Sequence, residues 1–255
     1  MPAILQARNV EKYYGGRNNL TRALAGVSFE IEAGEYVGVM GASGSGKTTL
    51  LNCVSTIDTV TAGQITIGGR DITAMDEKSL ARFRRQALGF IFQDFNLLDT
   101  LTAYENIALA LSILRVAADE IDRRVNDVAE TLGVHAVLQK YPYQMSGGQK
   151  QRVASARAIV TKPSLVLADE PTGALDSKSA RMLLESLSLL VRERGATILM
   201  VTHDAFSASY CDRIMFLHDG RLFCHLARGG ESRKQFFDRI MEVVSMLGGD
   251  ISDVV

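Results

Sequence analysis

Apolar residues along this chain of 255 fall into two rhythms, and the changes of rhythm mark its elements. Ile4 to Val10 and Val27 to Ile31 alternate apolar and polar positions, the second with Phe29 and Ile31 on one face, which predicts two half-buried strands. Tyr36 to Met40, Leu88 to Phe92, Leu165 to Ala168 and Thr197 to Val201 are nearly continuous apolar runs, the pattern of strands covered on both faces. Between them the period is helical. Leu50, Leu51, Val54 and Ile57 follow the first run, and Asp76 caps a stretch through Leu80, Phe83 and Arg85. Ile107, Leu109, Leu111, Ile113 and Leu114 precede a charged helix from Asp119 to Leu132 that Gly133 closes. Val153 to Val160 forms another helix. Asp176 caps a long one bearing Leu183, Leu184, Leu187, Leu190 and Val191, stopped by Gly195. Gln64 to Ile67 reads as a strand turning at Gly68-Gly69, and Arg213 to Leu217 with Arg221 to His225 as a hairpin on Asp219-Gly220. The last helix, about Lys234 to Leu247, spaces Phe236, Phe237, Ile240, Val243, Val244 and Leu247 along it.

Strands alternating with helices give an α/β fold with a mostly parallel sheet. Ligands in such sheets sit at the carboxyl ends of the strands. The polar residues that interrupt the pattern with chemical purpose lie at those ends: Gly41 to Thr48, Gln93, Asp169-Glu170 and His203. The block from Ala103 to Leu138 has no strand signal and reads as an inserted helical subdomain. Glu11 to Asn19 reads as a polar loop whose Tyr13 and Tyr14 either stack on a base or are ordinary half-buried tyrosines.

Composition narrows the class. A chain 47% apolar and 22% charged is globular, and a net charge of −1 argues against nucleic acid as a partner. No run of about 18 uncharged apolar residues is present, and Met1-Pro2-Ala3 leads directly into a strand with no export signal, so a cytoplasmic protein is expected. Cys53, Cys211 and Cys224 lack metal-ligand spacing and are expected to be buried reduced thiols.

The chemistry begins at Gly41-Ala42-Ser43-Gly44-Ser45-Gly46-Lys47-Thr48, followed by Thr49. Strand, glycine-rich turn and helix follow one another there, so backbone N–H groups and a helix N-terminus converge on one point that suits phosphate. Lys47 supplies a mobile cation and the Thr48 hydroxyl a ligand for Mg²⁺. Asp169 after four apolar residues suits the carboxylate that holds the metal through water, and Glu170 beside it suits the group that activates an attacking water.

Met145-Ser146-Gly147-Gly148-Gln149 makes a family resemblance specific. It resembles the signature of ATP-binding-cassette ATPases, with methionine where leucine is usual. In the same resemblance Gly41 to Thr48 is the Walker A loop, Gln93 the Q-loop glutamine that also reaches the metal, and Leu165 to Asp169 the Walker B strand. Glu170 matches the catalytic glutamate, Ala174-Leu175-Asp176 the D-loop, His203 the switch histidine and Tyr14 the adenine-stacking tyrosine, with Tyr13 as substitute. The resemblance implies ATP and Mg²⁺, catalysis by Glu170, His203 and Lys47, and head-to-tail pairing with a second copy. In that pair Ser146, Gly147, Gly148 and Gln149 close on the γ-phosphate held by the other chain. It also implies a P-loop NTPase cassette over residues 1–230, with N-terminal antiparallel strands and the helical subdomain at about 95–160. Residues 231–255 then form an amphipathic helix and a loosely ordered tail.

Gly89 to Leu98 and Asp169 to Lys178 resemble the branch serving lipoprotein release, macrolide efflux and peptide resistance; with Gly41 to Asn52, Ser207 to Cys211 and the tail around Gly229-Gly230, Phe236-Phe237 and Leu247-Gly248-Gly249, the chain is most similar to the bacitracin-resistance branch. That branch implies an integral-membrane permease, often a sensor histidine kinase, peptide antibiotics as substrates, and a place on the inner face of the membrane. Lipoprotein release, macrolide efflux and cell-division signalling are the alternatives. Phe95, Leu97, Leu98 and Leu101 form either a docking groove for the permease or a satellite core, and the last helix packs either on its own domain or on a partner.

Overall fold

The computed structural model describes residues 3–16 and 19–249. β1 (Ala3–Tyr14), β2 (Thr21–Glu32), β4 (Ala62–Ile67) and β5 (Arg70–Asp71) make an antiparallel sheet in the order β2-β1-β4-β5. The second sheet runs β10 (Arg221–Ala227), β9 (Arg213–His218), β3 (Tyr36–Met40), β8 (Ile198–Val201), β7 (Leu165–Asp169), β6 (Leu88–Ile91). Its strands are parallel except the edge strand β10.

The uninterrupted apolar runs have a direct cause. Side chains of a strand alternate between faces, and here both faces are covered. Tyr36, Met40, Val166, Ala168, Ile198, Met200, Ile214 and Phe216 point into one core. It is closed by α3 (Ala103–Ile113), α4 (Ala118–Thr131), α5 (Gly147–Ile159), α6 (Ser177–Arg194) and α8 (Arg233–Gly249). Val37, Val39, Leu165, Leu167, Leu199, Val201, Met215 and Leu217 point into the other, against the antiparallel sheet, α1 (Lys47–Val54) and α2 (Glu77–Ala87). α7 (Ala205–Ala208) is a single turn after β8. Asp76 caps α2 by accepting from the Ser79 N–H at 2.8 Å, and Gly195 ends α6 in the left-handed region.

Three expectations need correction. The polar stretch after Val10 is strand, not loop, as far as Tyr14: Tyr13 pairs with Arg22 and Tyr14 with Thr21. Its charge is accommodated because the buried Lys12 ammonium donates to Asp58 Oδ1 at 2.5 Å and to the Thr59 carbonyl at 2.7 Å; Arg17 and Asn18 lie outside the described residues. α1 stops at Val54, so Ile57 is exposed rather than on the helix face. The chain turns at Thr56, held in the left-handed region while Arg84 Nη1 donates to its carbonyl at 2.6 Å. Cys224 is half-buried, unlike Cys53 and Cys211.

The last helix packs on its own domain. Phe236 and Ile240 are completely buried and join the first core, with Val243 and Leu247 leaning on it, whereas Met241 and Val244 face out. Asp250 to Val255 lie outside the described residues. Truncating Phe236 to alanine is expected to cost about 3–5 kcal/mol in urea unfolding, the usual loss for a buried phenylalanine. A loss under about 1 kcal/mol would remove α8 from the core.

Candidate nucleotide site

Gly41, Ala42, Ser43, Gly44, Lys47, Thr48, Asp169, Glu170 and His203 line one cavity of about 610 Å³ at the carboxyl ends of β3, β7 and β8. Local chemistry builds it. Gly46 sits before α1 at φ 101°, in the left-handed region, and a Cβ there would strike the Ala23 carbonyl. Only glycine turns the chain at that point while β2 stays packed beneath it. Ser45 is buried, its carbonyl accepting from the Gly220 N–H at 3.0 Å, which ties the loop to the β9–β10 turn. Lys47 Nζ donates to the carbonyls of Gly41 at 2.9 Å and Ala42 at 2.7 Å. Burial lowers its pKa, against the pull of the Glu170 and Asp169 charges. Burial and the charge of Glu170 raise the Asp169 carboxyl, with Lys47 opposing. A cation and two carboxylates thus share a half-buried space in which burial disfavours the charged forms of Lys47 and Asp169. An added polyanion with its own divalent cation would relieve both sides.

Glu170 carries the sharpest geometry. Its backbone is left-handed at φ 44°, a conformation costing a non-glycine residue about 1–3 kcal/mol. Its N–H donates to the Val201 carbonyl at 2.9 Å. The carboxylate is then clamped: Thr202 Oγ1 donates to Oε2 at 3.1 Å, and the His203 N–H to Oε1 at 2.9 Å. His203 Nδ1 also meets Oε1, at 2.7 Å, which holds the ring against the carboxylate. The imidazole itself is 75% exposed.

Other expected residues stand elsewhere. Gln93 lines an adjoining groove of about 890 Å³, which Glu170 and His203 also border, and its side chain packs where Gly173 has no Cβ. Tyr14, at the end of β1, donates to Asp58 Oδ2 at 2.6 Å, and the Lys12 ammonium lies 4.9 Å from its ring centroid. Burial, and then its bond to Asp58, raise its pKa. Tyr13 turns to Glu11 and Arg22 instead. Thr49 lies in the first turn of α1, behind Thr48.

Ser146, Gly147, Gly148 and Gln149 are outside the cavity. Ser146 caps α5 by a reciprocal pair with Gln149: its hydroxyl accepts the Gln149 N–H at 3.3 Å, and Gln149 Oε1 accepts the Ser146 N–H at 2.9 Å. Ser146 and Gly147 are exposed, whereas Gly148 is buried, and a Cβ on it would lie 2.5 Å from Ser179 Oγ of α6. The free end of this helix is therefore Ser146-Gly147, and Gly148 serves the packing of α5 on α6. Asp176 caps α6, accepting from the Lys178 and Ser179 N–H groups at 3.0 and 2.9 Å, bonds that lower its pKa.

Two contributors escaped the sequence reading. Thr202 is adjacent to a strand end and indistinguishable from any buried threonine until its hydroxyl is seen on Glu170. Gln151, fully buried in α5, donates from Nε2 to the Phe92 carbonyl at 2.8 Å and the Pro171 carbonyl at 2.7 Å. One amide joins the residue before Gln93 to the residue after Glu170. Its place two residues beyond Gln149, on a helix with small apolar neighbours, was the available clue.

With this geometry in view, comparison with known proteins is informative. Residues 24–173 match the family model described as ABC transporter. The chain is 51% identical over 251 residues to the bacitracin export ATP-binding protein BceA of Halalkalibacterium halodurans, covering 98% of this chain and 99% of that protein. It superposes on the dimeric structure of MJ0796, a bacterial ABC transporter cassette, with a TM-score of 0.80 and 38% identity, over 89% of this chain and 99% of that one. A post-hydrolysis dimer of the same cassette bound to ADP and Pi gives 0.79 and 37%, with the same coverage.

Replacing Gln151 with leucine orphans the buried Pro171 carbonyl and the part-buried Phe92 carbonyl, and is expected to cost about 1–3 kcal/mol in all, read by urea unfolding. Unchanged stability would show that the amide does not bind the two loops together.

Proposed function

We propose that this chain, which belongs to the ABC transporter family as one of its ATP-hydrolysing subunits, drives a membrane permease by closing head to tail on a second copy around two ATP molecules. The observation that carries this is the convergence of Lys47, Thr48, Asp169, Glu170 and His203 on one cavity while the cap of α5 stays outside it. A helix end that offers N–H groups and a positive dipole, with no anion of its own chain to meet, fits a phosphate held by another copy.

In this reading Lys47 exchanges its two loop carbonyls for phosphate oxygens. The Thr48 hydroxyl and Asp169 carboxylate border the same cavity and are the hard oxygen donors that Mg²⁺ takes. When bound there, Mg²⁺ neutralises phosphate charge. Glu170, held by Thr202 and His203, accepts a proton from the water that attacks the γ-phosphorus, and ADP leaves. His203, exposed and anchored to Glu170 through Nδ1, borders the same cavity. Tyr14 offers a ring for adenine, and Gln93, on the groove side, is the link to the helical subdomain.

The 51% identity to a bacitracin export protein supports peptide antibiotics of the cell wall as the substrates moved by the permease. The resemblance of the tail to that branch adds a sensor histidine kinase bound through the permease. Among the described residues no helix is long and apolar enough to cross a membrane, which suits a subunit resting on the inner face of one. The apolar segment after Gln93 divides in a way that supports docking there: Leu97 leans on the core, while Leu98 is exposed. We assign residues 1–230 to the cassette, with 95–160 as its helical part.

Glu170→Gln is expected to keep ATP affinity while turnover falls by about 10²–10⁴-fold, leaving an ATP-bound pair on size exclusion; parental turnover would remove Glu170 as base. Lys47→Ala should instead weaken ATP binding itself, by fluorescence titration. For the second copy, Gly147→Glu is the informative change, since a side chain there has ordinary room, Phe95 being 3.7 Å from its Cβ. It should abolish pairing and spare ATP affinity of the single chain. Loss of both would place α5 in its own chain's nucleotide site.

A further inference from the structure

α8 has a second face that core packing does not use. Phe237, Met241 and Val244 follow one another at helical spacing along it, and Met241 and Val244 are 40% and 37% exposed. These three form one wall of the 890 Å³ groove whose opposite walls include Gln93, Glu170, Leu175 and His203. Val244, with Leu247, also borders the phosphate-loop cavity. An apolar stripe therefore runs without a break into the surface that bears the proposed catalytic carboxylate and the loop ahead of α6. In a solitary chain its apolar surface meets water, an arrangement that marks an interaction surface.

We infer that the Phe237–Met241–Val244 stripe is part of the seam between two copies of this chain, buried when the pair closes on ATP. The inference rests on the reading that the phosphate-loop face is the closing face. The occupant follows from continuity: this chain's fold neighbour at 38% identity is a dimeric cassette. The stripe shares its groove with Glu170 and its edge with the loop that a second copy's α5 must cover. A second copy that reaches Glu170 and His203 passes over Met241. α8 then has two functions on two faces: Phe236 and Ile240 fasten it to the core, and the outer stripe adds apolar contact to the seam.

The test uses full-length Glu170→Gln protein, in which pairing is read by light scattering with and without ATP. Adding Met241→Glu should weaken ATP-dependent pairing by about tenfold or more, since a carboxylate would be desolvated in the seam. Met241→Leu should pair as the parent does. So should Met246→Glu, a substitution on the same helix at a more exposed residue outside the groove. Thermal melting and single-chain ATP affinity should be unchanged throughout. As an independent reading, amide exchange over 237–247 in the Glu170→Gln chain should slow on ATP addition, and should not slow when Gly147→Glu prevents pairing. Parental pairing by Met241→Glu, or no added protection on pairing, overturns the seam. If that variant pairs normally but loses a co-expressed permease, the stripe belongs to the permease instead. If the Glu170→Gln parent itself never pairs with ATP, the reading of the site fails, and the seam with it.

Discussion

A parallel sheet covered on both faces leaves its chemistry few places to go. Core side chains occupy alternate positions of β3, β7, β8 and β9 on both sides. Polar groups are consequently excluded along the strands and released only where the strands end. Each released segment here is bent sharply at its first residues: the loop before α1 by glycines, and the β7 end by Glu170 in a left-handed conformation with Pro171 behind it. The bends turn the side chains back over the sheet edge, and three neighbouring strands supply one cavity. Strand order, set by packing, thereby decides which charges meet.

Burial makes that meeting costly for two of the groups. Lys47 is depressed by burial and Asp169 is raised by burial and by Glu170. The loop answers with local bonds, Lys47 resting on two carbonyls and Glu170 on Thr202 and His203. Such a site is preorganised but electrostatically incomplete, and the group that completes it must bring anionic oxygens for Lys47 and positive charge for the carboxylates. A nucleotide phosphate chain carrying a divalent cation has both.

The sequence made much of this legible because its signals were local. Apolar period distinguishes strand from helix, Asp76, Asp176 and Gly195 punctuate helices, and the phosphate loop has a mechanism at each position. What stayed hidden depends on distant pairing. Tyr13 and Tyr14 continue β1 because Lys12 finds Asp58, 46 residues away; polarity alone reads as loop. Ile57 leaves its helix because Arg84 holds the Thr56 carbonyl. Gly148, expected at a phosphate, is also the contact where α5 meets Ser179. Gln151 and Thr202 show no pattern, since a single buried amide or hydroxyl has no period.

The same distinction bears on how the two halves of the site communicate. Gln151 sits two residues beyond Gln149 and holds the carbonyls of Phe92 and Pro171. Its carbonyl oxygen Oε1 is buried without a protein partner. α5 is thus tied, by one amide, to the strand end carrying Gln93 and to the turn carrying Glu170. Any displacement of α5 that leaves the two loops behind must break both of these hydrogen bonds. A shift of α5 would thereby reach the turn bearing Glu170 without a large motion within the sheet.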